Sequence, residues 1–435
     1  MEGFFKMHNT IGDNYRLTIF GASHAEKIGV RIEGLPKGFE IDMAKLEAFM
    51  ARRAPGKDRF STARQEPDQV IFEEGITEDG QVVCTDACAV IYNRNVRRSD
   101  YDSLKDTPRP GHADLTAHLR YGDDFDMSGG GPFSGRMTAP LCIAGGIALQ
   151  ILESKGITVS AQIVMIGGKT QEQEMKDAID RAREEGDSVG GVIACTATGV
   201  PGGIGDPMFD GIENRIARIV FGIPAVKGIE FGAGFEAACM KGSDHNDAMH
   251  YDDQGHICSE TNHAGGILGG ITNGMPVTFK VAFKPTPSIT KEQQTVNTRT
   301  QENTVISVQG RHDPCIVMRA VPVVEAACAC ALLDALMQEP VLKGNIDDLS
   351  LFRQKLDVID DQMLDLFRER MKICGQIADV KKAAGKAVLD SKREQEKLDH
   401  MTGKAPDDLK EETKDLFSKV MELSRSFQKR LMRDD

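Results

Sequence analysis

Residues 337–350, MQEPVLKGNIDDLS, separate two unlike textures of sequence. Before them, dense glycine punctuates β-branched runs such as GVIACTATGV (191–200) and PVTFKVAF (276–283), with helical stretches such as TAPLCIAGGIALQILESKG (138–156) in between. After them, from 347 to 435, there are three glycines, one proline and long charged stretches at helical spacing. The reading is an α+β domain over 1–338, a linker over 339–346 and an all-α domain over 347–435. A chain of 435 residues exceeds what one core usually serves, which agrees with a division.

Within the tail, Leu349, Phe352, Leu356, Ile359, Met363, Leu366, Ile373, Ile377 and Val380 follow a 3-4 heptad spacing. They predict one helix of about 50 Å. Arg370 stands where that heptad calls for an apolar side chain, and an arginine on a buried seam needs an anion. Gly385 and KAVLD end the helix, a second runs through Arg393 and Glu394, and Pro406 opens a third. Two short helices cannot cover so long a stripe, so the reading is a three-helix unit that dimerises by intertwining. Arg370 and Lys381 are eleven residues apart, about 20° on a helical wheel. Arg353 lies seventeen residues before Arg370, roughly 100° round the helix, and reaches a shared pocket more easily from a partner chain. Ser424 and Gln428 add hydrogen-bonding groups beside Val420, Leu423 and Phe427. Most other charges here read as a solvated helix face.

Charge narrows the partners. A formal net charge of −13 and a pI near 5.4 argue against nucleic acid or an anionic membrane as a general partner, so an anionic ligand must meet a local basic pocket. No apolar run approaches the roughly 20 residues needed to span a bilayer. The start, MEGFFKMHNTIGDNYRLTIF, has no signal-peptide pattern, which points to the cytosol. The ten cysteines include no CxxC pair and read as reduced thiols.

Histidines of the first domain sit in polar, glycine-flanked turns: His24 in FGASHAEKIG, His112 in RPGHADLT, and His312 beside Asp313 in QGRHDPC. Such settings suit acid–base chemistry better than core filling; each alone is better explained by a structural hydrogen bond, and the three together point to a site. ARRAPGKDRFSTAR gathers Arg52, Arg53, Lys57, Arg59 and Arg64 in a loop with the chemistry for holding phosphate. His245, His250, His256, Cys258 and His263 crowd into nineteen residues, but their spacing matches no tight metal motif. GGILGG and SGGGPFSG do not form a Rossmann fingerprint, and fit backbone lying against a flat ligand better.

Two resemblances follow. Over 347–435 the tail resembles the all-helical chorismate mutases, through LFRQKLDVIDDQMLDLFRERMKICGQIADVKKAAGKAVLDSKREQEKL and ELSRSFQKRL. The resemblance implies that Arg353, Arg370, Lys381, Asp390, Arg393, Glu394, Ser424 and Gln428 surround chorismate, with Arg353 donated across the dimer. Residues 8–338 resemble chorismate synthase, a β-α sandwich, through NTIGDNYRLTIFGASHA, RRAPGKDRFSTARQEPDQV, RPGHAD, SGGGPFSGRMTAP, NHAGGILGGITNGMPV, FKPTPSI and GRHDPCIVMRAVPVVEA. That family eliminates phosphate from 5-enolpyruvylshikimate 3-phosphate, using reduced FMN without net redox change. The two halves would then perform consecutive steps.

By this resemblance His24 protonates the departing phosphate, His112 exchanges a proton at the flavin N1 edge, and Asp313 helps remove the C6 proton through the flavin. Arg53, Arg59, Arg136 and Arg311 hold the anionic groups. FMN contacts come from Pro132, Phe133, Ser134, Pro224, Ala225, Gly269, Lys284, Pro285, Thr286, Pro287, Ser288 and Arg311. NADPH or an external flavin reductase supplies the electrons, and the assembly is a tetramer or a dimer. The chain departs from the pattern at GASHA, where the family commonly has GESHG, and at Pro132 and Met137, where Arg and Glu are frequent. One alternative makes the tail a non-catalytic module for dimerisation or ligand-binding regulation. Another makes the first domain a flavin oxidoreductase with a different substrate.

Overall fold

The computed structural model describes residues 8–54, 68–93, 106–122, 125–253, 255–308, 313–338, 349–385 and 387–432. The chain forms two compact units, Met1–Pro340 and Val341–Asp435. The expected linker, 339–346, lies outside the described residues.

Unit 1 carries two antiparallel sheets. The first joins β1 (Thr10–Ile11), β2 (Arg16–Gly21), β3 (Lys27–Glu33), β4 (Ile71–Glu74) and β5 (Ala87–Tyr92) in the order β1-β2-β3-β5-β4. The second joins β6 (Thr158–Ile166), β7 (Gly191–Thr198), β8 (Val226–Phe231) and, beyond four short ribbon strands, β13 (Val277–Phe283), in the order β6-β7-β13-β8. The ribbons pair β9 (Met249–Tyr251) with β10 (Ile257–Ser259), β11 (Ile267–Leu268) with β12 (Ile271–Thr272), and β14 (Gln293–Asn297) with β15 (Glu302–Ile306). The helices are α1 (Met43–Arg53), α2 (Asp114–Tyr121), α3 (Thr138–Glu153), α4 (Glu172–Glu184), α5 (Ile212–Val220), α6 (Gly242–His245) and α7 (Val317–Gln338).

Helix α3 packs on β2, β3 and β5, α7 packs on β6 and β7, and the two helices pack on each other. The layers are therefore sheet, helix, helix, sheet. Both helices are apolar on nearly every face, the composition of an element with no wet side. Their close approach requires glycine: a Cβ at Gly145 would overlap the Ala326 methyl, and one at Gly146 would lie 2.6 Å from Leu46 Cδ1. This pair also corrects the sequence reading of apolar length. Gly135–Glu153 and Val317–Gln338 are long and apolar enough to cross a membrane, yet 78% and 83% of their apolar windows are buried inside the unit. The few polar groups they carry have partners. The Asp334 carboxylate accepts backbone N–H bonds from Asp13, Asn14 and Tyr15 at 2.7–2.9 Å and pairs with Arg215 at 2.8 Å, tying the N-terminal strands to α7. All ten cysteines are free, and burial pushes the Cys142 thiol up to about 12.

Unit 2 is three helices: α8 (Leu349–Ala383), α9 (Ser391–Lys404) and α10 (Lys410–Leu431). At 35 residues, α8 is about 52 Å long. Gly385, at φ 61°, follows its end in the left-handed conformation. Asp390 caps α9 by accepting the Arg393 backbone N–H at 3.0 Å, and Pro406 precedes a single 3₁₀ turn before α10. Helix α10 packs on both α8 and α9.

The face of α8 turned to α10 is not the expected heptad stripe. Cys374 and Ala378 are buried there, with Phe367, Arg370, Met371, Gly375 and Lys381 half-buried around them. Leu356, Ile359, Met363, Leu366, Ile373, Ile377 and Val380 are exposed, Leu366 at 65% and Val380 at 69%. A heptad and a 3.6-residue turn drift by about 20° per repeat, so two neighbouring faces satisfy the same spacing. Arg370 belongs to the packed face.

Candidate active sites

In unit 1 the site is organised by Ser128–Phe133, a tight turn in which Gly129, Gly130 and Gly131 take φ of 62°, 88° and 50°. Only glycine adopts three such values in succession without strain. The absent side chains leave room for two histidines. A Cβ on Gly129 would overlap the His24 ring, and one on Gly130 would lie 3.5 Å from His112 Nε2. Histidines 88 residues apart in sequence thus meet consecutive glycines. The His24 turn is held in two ways. The Ser23 N–H donates to Gly131 O at 3.2 Å. The Asn93 amide donates to Ala22 O at 3.4 Å and Ala25 O at 2.8 Å, and its oxygen accepts from Arg136 Nε at 3.2 Å.

Arg136 leads into a buried charge cluster. Asp68 accepts from Arg53 Nη2 at 2.7 Å and pairs through its other oxygen with Arg136. Burial pulls the Arg53 guanidinium below its ordinary range, against the pull of Asp68. Two arginines thus share one buried carboxylate, a local concentration of positive charge. Arg319 donates through Nε to Arg53 O at 3.0 Å and pairs with Asp313 Oδ2 at 2.7 Å, joining this cluster to the candidate acid–base residue Asp313.

His112 lies on the other side of the glycine turn, in a second cluster. Arg109 is buried and donates to Asp114 from Nε at 2.7 Å and to Ser288 Oγ from Nη1 at 3.0 Å. Lys284 Nζ donates to Gly111 O at 2.9 Å, and the Lys284 backbone N–H donates to Ala225 O at 2.9 Å. Burial, with Lys227 nearby, lowers the Lys284 ammonium below its ordinary range. Ala225 has φ 72°, a strained value for a residue with a Cβ. The loop of His112, Ala225 and the 284–288 segment therefore share one locality.

In unit 2, Arg370 donates to Ser424 Oγ, and Nη1 lies 3.5 Å from Val420 O. Ser424 and Gln428 are both buried, and Gln428 Oε1 has no hydrogen-bond partner among the described residues. Lys381 Nζ donates to Val388 O at 2.6 Å, and Glu394 pairs with Arg425, linking α9 to α10. Arg393 is 75% exposed at its side chain and pairs with Glu396 at 3.5 Å. Arg353 falls within α8, but its side chain lies outside the described residues.

Comparison with known proteins decides what this framework is. The family model described as chorismate synthase matches residues 15–337. The chain belongs to the chorismate synthase family. The chorismate synthase of Lancefieldella parvula is 44% identical over 77% of this chain and 97% of its own length, and that of Methanocaldococcus jannaschii is 40% identical over 76% and 96%. A crystal structure of chorismate synthase, 25% identical, superposes with a TM-score of 0.57 and covers 75% of this chain and 93% of the other. The model described as chorismate mutase type II matches residues 352–429. One polypeptide therefore joins a chorismate synthase, a lyase, to a chorismate mutase, an isomerase.

Several expected residues of the synthase unit come together: His24 and His112 at the glycine turn, and Arg53 with Arg136 on Asp68. Pro132, Phe133 and Ser134 belong to or adjoin that turn, whereas Gly269 sits in the turn between β11 and β12, where a Cβ would meet no described atom within 4 Å. Arg59, Arg311 and His312 lie outside the described residues. Asp68, Asn93 and Arg319 went unnoticed as single polar residues: each braces segments distant in sequence, so spacing carries no signal for it, whereas Asp114, two residues after His112, stands in the same polar turn. The departures have a structural reading too. Asn93 holds the GASHA turn by backbone carbonyls alone, and Met137 packs against the core. Among the described residues no three His, Cys, Asp or Glu side chains gather as a metal site.

Proposed function

We propose that the synthase unit converts 5-enolpyruvylshikimate 3-phosphate to chorismate and phosphate with reduced FMN, and that the mutase unit rearranges that chorismate to prephenate. The observation that carries the first step is the meeting of His24 and His112 at consecutive glycines, beside two buried arginines gathered on one carboxylate. Arg53 and Arg136, with Arg59 and Arg311, bind the phosphate and carboxylates. His24 delivers a proton to the leaving phosphate, a poor leaving group until neutralised. Asp313, oriented by Arg319, would help take up the C6 proton as phosphate leaves, and His112 would exchange a proton at the N1 edge of a bound flavin.

The donor set suits FMN. Lys284, Ser288 and Ser134 offer polar groups, the glycine turn offers close backbone approach, and Pro132, Phe133, Pro224, Ala225, Gly269, Pro285, Thr286 and Pro287 offer largely apolar surface for a flat ring. When bound, reduced FMN supplies electron density at the breaking C–O bond and recovers it, with no net redox change. NADPH, used directly or through an external flavin reductase, is the proposed source of reducing electrons.

In the mutase unit the reaction is pericyclic and needs no nucleophile. Arg370, and Arg353 from a partner chain, clamp the two carboxylates, while Lys381 and Gln428 meet the ether oxygen. The buried Gln428 Oε1, without a partner among the described residues, and the Arg370–Ser424 contact support this. Asp390, Arg393 and Glu394 line the approach from α9. The exposed apolar stripe of α8 supports an intertwined dimer, and the whole assembly is a homo-oligomer, dimer or tetramer, in the cytoplasm.

The test mixes the full chain with the phosphorylated precursor, FMN and dithionite and follows products with time. Chorismate should appear with phosphate, then prephenate. Arg370→Ala should let chorismate accumulate. Absence of phosphate release overturns the first assignment; unchanged prephenate formation in Arg370→Ala overturns the second.

A further inference from the structure

We infer that Asp114 is a positioning residue for His112: its carboxylate fixes the proton on Nδ1 and so leaves Nε2, the nitrogen at the glycine turn, as the one that gives or takes a proton. The inference rests on the reading of His112 as a proton carrier.

The geometry is specific. Asp114 Oδ1 lies 2.6 Å from His112 Nδ1 and accepts from Arg109 Nη2 at 2.9 Å. Oδ2 accepts from Arg109 Nε at 2.7 Å and from the Arg109 backbone N–H at 3.0 Å. An arginine has no acceptor atom, so these three bonds require an ionised, acceptor-only carboxylate. A carboxylate so held can only receive a hydrogen from Nδ1. The ring, when neutral, is then obliged to be unprotonated at Nε2, the atom 3.5 Å from where a Cβ of Gly130 would stand.

The remaining charges around the ring agree. Arg109 Nη2 is 3.1 Å from Nδ1 and 3.3 Å from Nε2. A donor almost equidistant from the two ring nitrogens is aligned with neither lone pair, and Nη2 donates to Asp114 Oδ1 instead, so Nε2 stays open for a proton. Lys284 reaches the same loop, but through Gly111 O rather than through the ring. Asp114 opens α2, and Ser288 anchors the far side of Arg109 at 3.0 Å, so brace and ring are fixed from two elements. A histidine oriented by a carboxylate behind it is the arrangement used wherever one ring nitrogen must be kept free for proton transfer.

Solid-state nitrogen spectra of the full chain, labelled with ¹⁵N in its histidine rings and without FMN, test this, with the His112 signals assigned by comparison with His112→Gln. At about pH 8, above the ordinary histidine range, His112 should carry its hydrogen on Nδ1. In Asp114→Asn the hydrogen should shift to Nε2 or divide between the two nitrogens, the other histidines keeping their signals. Synthase kcat should then fall about 100-fold, the scale of a misplaced acid–base group, with KM little changed and partial rescue in Asp114→Glu. An Nε2-protonated ring in the unaltered chain overturns the inference whatever the variant does. So does an unchanged tautomer in Asp114→Asn, or a changed tautomer with unchanged kcat. Full activity in His112→Gln would instead overturn the role given to His112, a separate result, because the spectra report the pairing independently of turnover.

Discussion

Gly129 is the residue on which most of the synthase site turns. Its φ of 62° and the His24 ring packed against its Cα leave no volume for a methyl group. Gly129→Ala should displace His24 and abolish phosphate release while prephenate formation from added chorismate continues; both are read from one preparation. Asp114 gives a prediction in pH. Burial pushes its carboxyl up, but the hydrogen bonds from Arg109 and His112 outweigh burial and hold it below the usual carboxylate range. A folded-state value below the unfolded one contributes stability that is complete above the unfolded value, about 3.9, and is lost as pH falls toward the folded one. Asp114→Asn should therefore cost about 1.5–3 kcal/mol near neutrality, and the gap should close below about pH 4. Urea unfolding of the two proteins across that range measures it. Asn93 belongs to the same scale: Asn93→Ala removes the bonds to the Ala22 and Ala25 carbonyls and to Arg136 Nε together, so KM for the phosphorylated substrate should rise.

Among the elements, α8 is the one whose sequence pattern and packing part company. Its heptad residues are apolar because something must cover them, yet the three helices of one chain leave them in water. An exposed stripe of seven large apolar side chains on one helix is the surface that the proposed dimer would cover. Ile359→Glu, far from Arg370 and Ser424 along the helix, should weaken self-association of the mutase unit and reduce prephenate formation several-fold. Sedimentation of the full chain at several concentrations, beside mutase assays, checks both. The outcome against this account is a variant of unchanged association and activity. The length of α8, its stop at Gly385 and the start near Pro406 were all legible, because helix ends are written in local chemistry; the cap at Asp390 is a finding of the structure. Which of two adjacent faces meets α10 was not legible, since the choice depends on α10.

For the whole molecule, the two units have separate cores, and the contact that holds the synthase sandwich together is α3 on α7. Gly145→Val would force side chain into the Ala326 backbone and methyl; a shift of the two helices should cost about 3 kcal/mol or more. Synthase activity and its thermal transition should fall, with mutase activity retained, and calorimetry with the two assays decides. By itself the sequence determined the division near 337–350, the mixed character of the first part, the helices of the second, and the polar turns that carry His24, His112 and Asp313. These are properties of neighbours along the chain: glycine where backbone must bend, apolar residues at the period of the element, caps at its ends. Only the tertiary structure decided that Gly129 and Gly130 receive two distant histidines, that Asp68 binds Arg53 to Arg136, that Asn93 and Arg319 brace the site, and that Arg370 faces α10. The bonds of Arg53 to Asp68, Arg136 to Asn93, Arg319 to Arg53 and Arg370 to Ser424 join residues from 15 to 266 positions apart. A hydrogen bond or an ion pair acts over about 3 Å and leaves no periodic trace in the order of residues, so folding alone selects its partners.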